Sequence, residues 1–241
     1  GMFFYNLSRR KPEKVKDMIL RGVREQLGPD YDVKTHFTPP YNPWDQRLCL
    51  VPNGDLFDAI KQGRASVVTD HIDRFTEKGI LLKSGKELEA DIIITATGFN
   101  LCVMGDIDFT VDGKPVNFAD TVTYRGMMFT GVPNLVWVFG YFRASWTLRV
   151  DILGDFVTRL LNHMTKLGKK KVTVALRPED HNMKLQPWID PENFNPGYLQ
   201  RGMHLLPKCG DKPEWQHTQD YWTEKDVVPS IDLTGKEFVY E

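Results

Sequence analysis

The amino-acid sequence predicts a mixed α/β fold, in which helices pack on a sheet and an antiparallel hairpin layer lies beside it. Residues 10–28 and 145–167 have the apolar spacing of amphipathic helices. Residues 92–96 and 135–139 are short apolar runs, which are typical of strands buried on both faces of a sheet. Turn residues recur between residues 67 and 90 at the spacing of hairpins.

The first predicted helix, residues 10–28, has clear boundaries. Pro12 suits a first turn, because the N–H that proline lacks has no partner there, and Gly28 followed by Pro29 ends the helix. One apolar stripe runs along the helix and comprises Val15, Met18, Ile19, Val23 and Leu27. This pattern predicts one face packed against the rest of the protein.

A short helix and a short strand are predicted further along. Residues 55–62 fit a helix that Gly63 stops, with Leu56, Phe57 and Ile60 facing inward. The segment before it is rich in proline and is therefore expected to be extended or looped, with a short strand over residues 47–51.

The predicted strands follow from turn chemistry. Two turns, residues 77–79 and 84–86, divide the hairpin layer of residues 67–90, and Asp112-Gly113 marks a further hairpin because both residue types tolerate positive φ. We expect the apolar strands over residues 92–96 and 135–139 to lie side by side in the sheet.

The long helix over residues 145–167 is predicted to pack on that sheet. Ser145 is its expected N-cap. The residues expected to face the core are Val150, Leu153, Val157, Leu160, Leu161 and Met164. The tail, residues 176–241, is rich in proline and aromatic residues and has little periodicity, which predicts an ordered, loop-rich extension that wraps over the remainder.

The composition narrows the range of partners and locations. The net charge of −1 gives no indication of a nucleic-acid or membrane partner, and no apolar stretch approaches the length of a membrane span. Three distant cysteines argue against a disulfide framework and for a reducing cytoplasm, and the chain opens without a secretion signal. Gly1 before Met2 is typical of the residue that tag cleavage leaves behind.

Several common catalytic motifs are absent from the sequence. None of the 19 glycines has another glycine two positions away, so the chain contains no GxGxxG dinucleotide fingerprint. It also contains no P-loop, CxxC, HExxH or GxSxG motif. The spacing of His204, Cys209 and His217 matches no standard zinc site, and we therefore predict no metal site.

The order of several segments resembles a known family. One segment, residues 83–100, has the sequence KSGKELEADIIITATGFN. It resembles the late segment of flavoproteins with two dinucleotide-binding domains, where the chain returns from the NADP domain to the FAD domain. Three further segments occur in the order seen in flavin-containing monooxygenases. They are THFTPPYNPWDQRLCLVPNGDLFDAIKQGRASVVTD, TYRGMMFTGVPNLVWVFGY and the helix after Ser145. Over residues 31–167 the chain is similar to class B flavoprotein monooxygenases, and in particular to the Baeyer–Villiger type.

The resemblance implies a partial two-dinucleotide-binding-domain flavoprotein fold. It divides the chain into four regions, which are an N-terminal helical segment, the remainder of an NADP-domain-like region, the C-terminal part of an FAD-domain-like region and a loop-rich extension. Their expected boundaries are residues 1–30, 31–66, 67–175 and 176–241.

The resemblance also implies cofactor-binding residues. Thr97 and Gly98 match the Ala-Thr-Gly turn of the family, which packs near the FAD. Gly140 ends the strand that leads toward the flavin. Ser145, Trp146 and Thr147 open the following helix, whose unpaired N–H groups would direct a positive dipole end at the flavin ring.

Arg47 is the one catalytic residue that the resemblance implies. In PWDQR it aligns with an arginine that Baeyer–Villiger enzymes place beside the flavin peroxide and the nicotinamide, where a fixed cation would stabilise developing negative charge. The alternative is a surface arginine beside Asp45.

Such an enzyme needs an N-terminal GxGxxG for FAD and a second one for NADPH, and this sequence has neither. We therefore expect the C-terminal part of an FAD- and NADPH-dependent monooxygenase, which inserts oxygen next to a ketone or oxidises a heteroatom through a flavin peroxide. Alone it should be incomplete and bind FAD weakly or not at all, because the pyrophosphate lacks its main anchor. The alternative is a non-enzymatic remnant that self-associates through an uncovered sheet as a homodimer. An unrelated α/β binding domain is the third possibility.

Overall fold

The computed structural model describes residues 2–241, and the side chains from Phe3 onward. The chain divides into two compact units, Gly1–Phe99 and Asn100–Glu241. Each unit combines helices with small antiparallel sheets, so the α/β class is confirmed. None of the helices in the described part of the chain is both long and apolar enough to cross a membrane.

Four helices form the first part of the first unit. They are α1 (Met2–Arg10), α2 (Pro12–Leu27), α3 (Val33–His36) and α4 (Asp55–Lys61). The prediction over residues 10–28 is confirmed as α2, with Pro12 at its start and Gly28 at φ 90° after its end. The side chain of Asp32 caps α3 by accepting a hydrogen bond from the amide of Thr35 (3.0 Å).

Two details of residues 47–61 differ from the sequence prediction. The helix over residues 55–62 is present as α4, but Leu56 is 40 % exposed rather than inward. Residues 47–51 form no strand among the described residues, because no neighbouring segment there offers a ladder of hydrogen bonds.

The hairpin layer is confirmed as a three-stranded antiparallel sheet. Its strands are β1 (Ile72–Phe75), β2 (Gly79–Leu82) and β3 (Glu87–Glu89), in that spatial order. Gly79 is required at the first turn, since it has a φ of 152° and a Cβ there would collide with the carbonyl oxygen of Leu88.

The predicted buried strand over residues 92–96 is wrong. These residues belong to no strand, and Ile92 and Ile94 are 81 % and 86 % exposed. A strand buried on both faces needs neighbouring strands and covering helices, and the described residues supply neither around this run. Residues 92–96 therefore have the apolar pattern of a buried strand, although the described part of the chain leaves them exposed.

The second unit contains the long helix α5 (Thr147–Leu167) and four two-stranded antiparallel pairs. The pairs are β4 (Thr110–Val111) with β5 (Lys114–Pro115), β6 (Thr123–Tyr124) with β7 (Met128–Phe129), β8 (Val172–Val174) with β11 (Phe238–Tyr240), and β9 (Gln186–Pro187) with β10 (Lys208–Cys209). The hairpin predicted at Asp112-Gly113 is confirmed, with φ values of 51° and 76°. Short helices α6 (Gly197–Gly202) and α7 (Tyr221–Val227) lie in the tail.

The second predicted apolar strand, residues 135–139, is also wrong. The segment belongs to no strand, and one backbone hydrogen bond, from the amide of Trp137 to the carbonyl of Met127 (2.7 Å), ties it to its neighbour. Its side chains are half-buried in the hydrophobic clusters of the unit, except for that of Val138, which is exposed. The apolar run thus reflects packing in an irregular segment, and the predicted pairing of the two apolar strands does not occur.

The main core of the second unit lies between α5 and the tail. Residues 176–241 contribute Trp215, Val228, Ile231, Leu233 and Phe238 to the cluster that also buries Leu153, Phe156 and Leu160 of α5. The tail is therefore an ordered extension built mainly of loops and short elements, as predicted. The boundaries of the four implied regions stay a prediction.

The orientation of α5 corrects two further predictions. Val150 and Leu161 are 47 % and 57 % exposed, because the tail covers a face of the helix centred on Leu153 and Phe156 instead. Ser145 is not the N-cap: Trp146 occupies that position, and the hydroxyl of Ser145 lies 2.7 Å from the hydroxyl of Thr147 rather than on a backbone amide.

Candidate functional site

The predicted site residues fall in both units. Arg47, Thr97 and Gly98 belong to the first unit, and Gly140, Ser145, Trp146 and Thr147 to the second. The structure brings the second group together in residues 140–147, which we call the turn segment.

Thr97 and Gly98 follow the exposed isoleucine run and are themselves exposed. Gly98 has a φ of 96°, a conformation that L-residues rarely adopt, and a Cβ built on it would meet no atom within 4 Å. The glycine is therefore required by the backbone turn and not by a neighbouring group in the described chain. The open space beside it leaves room for close approach by another molecule.

Arg47 is exposed at the rim of a small cleft of about 60 Å³. The cleft is largely apolar, and its walls include Phe37, Tyr41 and Trp44. The nearby Asp45 carboxylate accepts hydrogen bonds from Arg9 Nη1 (2.7 Å) and from the amide of Asn42 (3.1 Å). No hydrogen bond or ion pair of Arg47 occurs among residues 2–241, and both interpretations of this exposed side chain, the catalytic residue and the surface arginine beside Asp45, stay predictions.

Gly140 and Trp146 are in direct contact. The indole ring of Trp146 lies where a Cβ of residue 140 would be, so only glycine fits at this position. The ring also packs against Phe139, with 5.0 Å between ring centroids, while 46 % of Trp146 stays exposed. The tryptophan therefore fixes the start of α5 against the end of the preceding segment and presents its other side outward.

The N-terminus of α5 is open. The carbonyl of Trp146 accepts hydrogen bonds from the amides of Arg149 (3.0 Å) and Val150 (3.2 Å). The amides of Thr147 and Leu148, in contrast, have no acceptor within residues 2–241. Ser145, Trp146 and Thr147 are exposed. A helix of 21 residues with unpaired amides at an exposed end attracts negative charge.

Gln219 of the tail holds the turn segment from the other side. Its Nε2 donates to the carbonyl of Gly140 (3.1 Å), and its Oε1 accepts the amide of Phe142 (2.8 Å). One amide side chain thus fixes both backbone groups that flank Tyr141. Because residues 140 and 219 are far apart in sequence, no local pattern indicated this contact.

A buried ion pair lies directly below the turn segment. Arg149 Nε donates to Glu224 Oε2 (3.0 Å), and the side chains are 1 % and 6 % exposed. The hydroxyl of Tyr141 donates to the same carboxylate oxygen (2.7 Å), and burial, followed by that hydrogen bond, raises the pKa of Tyr141 well above its ordinary value.

The remaining N–H groups of Arg149 satisfy backbone carbonyls. They donate to the carbonyls of Phe139 (2.5 Å), Arg125 (2.8 Å) and Gly126 (3.4 Å). A buried charge is tolerated only when it is paired and hydrogen-bonded in this way. Arg149 was not predicted as a site residue, although its place on the buried face of α5 with Leu153 and Phe156 indicates an arginine that needs an acidic partner.

His217 is half-buried and Cys209 is buried, and both are neutral at pH 7. His217 Nε2 donates to the carbonyl of Trp188 (2.5 Å), and its ring stacks on the indole with 4.1 Å between centroids. Burial lowers the pKa of His217 to about 4 and raises the pKa of Cys209 to about 11. No group of three or more metal-ligating side chains occurs in the described part of the chain.

We expect the stability of the protein to fall below neutral pH because of His217. Its folded-state pKa of about 4 lies below the ordinary 6.5, so between these values the unfolded state binds a proton that the folded state does not. The free energy of unfolding should therefore be fully retained above pH 6.5 and decrease by about 2–3 kcal/mol as the pH falls to 4.

Urea unfolding at a series of pH values measures this dependence. His217→Gln should flatten the profile between pH 6.5 and 4, whereas the exposed His181→Gln should leave it unchanged. Equal slopes for the two variants would contradict the assignment to His217.

The residues present fit one end of an FAD molecule. The exposed helix end at Thr147 can hold the negative charge of a flavin ring edge, and the open face of Trp146 can take an aromatic ring system. The diphosphate needs a glycine-rich turn at a helix start, and the sequence has no such turn. These residues therefore fit the flavin end of an FAD molecule but not its diphosphate.

The chain is similar to known flavoprotein monooxygenases over most of its length. No protein-family model matches it. It is 48 % identical over 236 residues to the "FAD-containing monooxygenase EthA" of Mycobacterium tuberculosis (strain CDC 1551 / Oshkosh), covering 97 % of this chain and 47 % of the relative. It is 46 % identical over 224 residues to the EthA of Mycolicibacterium smegmatis, covering 93 % of this chain and 44 % of the relative. It is 44 % identical over 222 residues to the "Probable FAD-binding monooxygenase AlmA" of Acinetobacter sp, covering 92 % of this chain and 44 % of the relative. The chain thus spans about half the length of these curated relatives, and what it resembles is part of an FAD-containing monooxygenase.

Proposed function

We propose that the chain is the C-terminal part of an FAD- and NADPH-dependent monooxygenase that adds oxygen next to a ketone or to a heteroatom. The observation that carries the proposal is the open N-terminus of α5, fixed over Gly140 by Trp146 and Gln219. Bound FAD would supply the redox chemistry with NADPH and O₂. The cytoplasm is the expected location.

The residues of this chain take definite roles in the proposal. The amides at Thr147 and Leu148 stabilise negative charge at the flavin ring edge, because they are unpaired and lie at the positive end of the helix. Thr97 and Gly98 pack beside the FAD, where the open space next to Gly98 permits close approach. Arg47 supplies a fixed cation for charge that develops during oxygen transfer.

The proposed flavin site is incomplete within this chain. The two exposed isoleucines, Ile92 and Ile94, lie in a run with the pattern of a strand that other strands cover. The missing glycine-rich motifs and the relatives' greater length point in the same direction. The N-terminal half of the enzyme would supply the phosphate-binding turns and the strands beside this run.

A visible absorption spectrum tests this proposal. After incubation with FAD and desalting, we expect the isolated chain to be colourless, because the diphosphate lacks its anchor. Co-expression with the unmatched part of the Mycobacterium tuberculosis relative should restore a flavin band and NADPH oxidation. A flavin band retained by the chain alone would contradict its incompleteness, and no band in either sample would contradict the monooxygenase assignment.

The second candidate is a self-associating remnant without enzymatic activity. The exposed isoleucine run favours it, since an unpaired apolar segment is a template for pairing with another copy. Sedimentation of the purified chain distinguishes the candidates. A stable homodimer that loses its association on Ile94→Lys, without any flavin binding in the presence of the other half, would support the remnant. The similarity to the monooxygenases makes an unrelated binding domain a poorer account.

A further inference from the structure

Gln219 of the tail holds an uncommon backbone conformation. Its φ is 52°, in the left-handed region that residues other than glycine rarely adopt. Such a conformation persists only where the surrounding structure holds it. On one side of Gln219, the ring of His217 stacks on Trp188 with 4.1 Å between centroids. On the other side, the carboxylate of Asp220 accepts a hydrogen bond from the amide of Thr223 (3.2 Å) at the start of α7. The backbone is therefore anchored on both sides of Gln219.

The side chain of Gln219 is matched to the turn segment at both of its polar atoms. Its Nε2 donates to the carbonyl of Gly140 (3.1 Å), and its Oε1 accepts from the amide of Phe142 (2.8 Å). Among the described residues, the amide of Phe142 donates to no backbone carbonyl, so Gln219 is its acceptor. A side chain at this position needs both a donor and an acceptor to make the two hydrogen bonds.

The position of Gly140 in turn determines that of Trp146. A Cβ on Gly140 would collide with the indole ring, so the ring rests directly on the glycine backbone. A shift of that backbone therefore moves the indole and, with it, the first residues of α5. These residues carry the unpaired amides of Thr147 and Leu148. Gln219 thus controls the open end of the helix through two successive contacts.

We propose that Gln219 is a positioning residue for the flavin site, which holds Trp146 and the open end of α5 in the orientation that receives the flavin ring. This inference rests on the proposed function and adds a residue of the tail that acts on the cofactor only through Gly140 and Trp146. The helix end carries partial positive charge, so its correct placement favours the more negatively charged reduced flavin over the oxidised form.

FAD binding by the reconstituted pair tests the inference. The intact 241-residue chain is combined with the unmatched part of the Mycobacterium tuberculosis relative and titrated with FAD, and the flavin reduction potential is measured. Gln219→Met keeps the length of the side chain and removes both hydrogen bonds. It should weaken FAD binding about tenfold. It should also make the reduction potential more negative, because reduced flavin depends more on the helix end than oxidised flavin does.

Gln216→Met is the matched control. Gln216 is half-buried in the same part of the tail, and its side chain makes no hydrogen bond to the turn segment. The control should change the Kd for FAD less than about twofold and leave the reduction potential unchanged.

Amide hydrogen exchange gives a measurement on the chain without cofactor. The amide of Phe142 should exchange at least about tenfold faster in Gln219→Met than in the unaltered chain, because its acceptor is lost. Gln216→Met should leave this rate unchanged. Circular dichroism should show that both variants preserve the fold.

Gln219→Glu tests whether the donor and the acceptor are both needed. At about pH 8 the ionised carboxylate has no proton to donate to the carbonyl of Gly140, whereas the protonated acid at about pH 5.5 offers both a donor and an acceptor. FAD binding by this variant should therefore recover toward that of the unaltered pair, measured at the same pH, as the pH falls.

Four results would contradict the inference. A lower Tm of Gln219→Met with an unchanged Kd and reduction potential would show that Gln219 only stabilises the fold, and the proposed function would stand. Unchanged exchange at Phe142 would overturn the inference in the same way. If Gln219→Met does not fold, Gln219→Glu decides, and a pH profile equal to that of the unaltered pair overturns the inference. Absence of FAD binding by the unaltered pair would overturn the proposed function and the inference together.

Discussion

Glu224→Gln should destabilise the second unit by about 3–5 kcal/mol, because it leaves the charge of Arg149 buried without its partner. The substitution preserves the shape of the side chain and an acceptor for the hydroxyl of Tyr141, so the lost negative charge accounts for most of the effect. A loss of this size is a large fraction of the total stability of a typical domain. Chemical denaturation followed by circular dichroism measures it.

The matched control is Asp226→Asn in the same short helix. Asp226 pairs with Lys225 at 2.9 Å, but its side chain is 73 % exposed, and exposed pairs contribute about 0–1 kcal/mol. Similar effects of the two substitutions would show that the Arg149–Glu224 pair contributes no more to stability than an exposed ion pair.

A double substitution separates the charge from the hydrogen bonds. Arg149→Met combined with Glu224→Leu removes both charges, yet the carbonyls of Phe139, Arg125 and Gly126 lose their donor. We therefore expect incomplete recovery of stability, in contrast to isolated buried ion pairs, whose apolar replacement is often neutral.

Trp215→Ala should have an effect of similar size, about 3–5 kcal/mol, although Trp215 belongs to the loop-rich tail. Its side chain is 0 % exposed and lies in the main core, where its ring packs edge-on against Tyr124 with 5.7 Å between centroids. Thermal unfolding of the variant should show a large decrease in Tm, because the cavity left by an indole is too large to collapse fully.

Trp222→Ala provides the comparison within the same tail. Trp222 is 56 % exposed in α7, so its removal should change the free energy of unfolding by less than about 1 kcal/mol. If the two tryptophan variants unfolded alike, the tail would not be part of the core of the second unit.

The helices and hairpins were predictable because their determinants are local. Pro12 and Gly28 bound α2 through the preferences of single residues, and Asp112-Gly113 formed its turn because positive φ is available to both. The three-stranded layer followed from similar turns. These elements need few contacts with distant parts of the chain.

The two apolar strands could not be predicted because burial of a strand depends on partners elsewhere. The sequence of residues 92–96 carries the pattern of a covered strand, and the structure leaves Ile92 and Ile94 exposed. The same failure occurred in α5, where Val150 and Leu161 are exposed because the apolar surface of the helix is wider than the face that the tail covers. Hydrophobic periodicity thus indicates which residues favour burial, but it does not indicate which part of the protein buries them.

In the candidate site too, the sequence indicates residues that are close together in the chain but not their distant partners. Gly140 and Trp146, which are six residues apart and in contact, were both predicted as cofactor-binding residues, whereas Gln219 and Glu224 reach this segment from about 80 positions away. Arg149 was detectable from its place on the buried face of α5. Its acidic partner was not, because nothing local relates the two.

The exposed isoleucine run has a consequence for amide hydrogen exchange. The amides of residues 92–98 donate no backbone hydrogen bond within the described chain, so their protons should exchange with deuterated solvent at nearly the rate of an unstructured peptide. The amides of Leu153 and Phe156, in the middle of a long packed helix, should exchange only when the second unit opens globally. The amide protons of this segment, which has the composition of a sheet interior, should therefore exchange within seconds. Slower exchange would show that another polypeptide has paired with the segment.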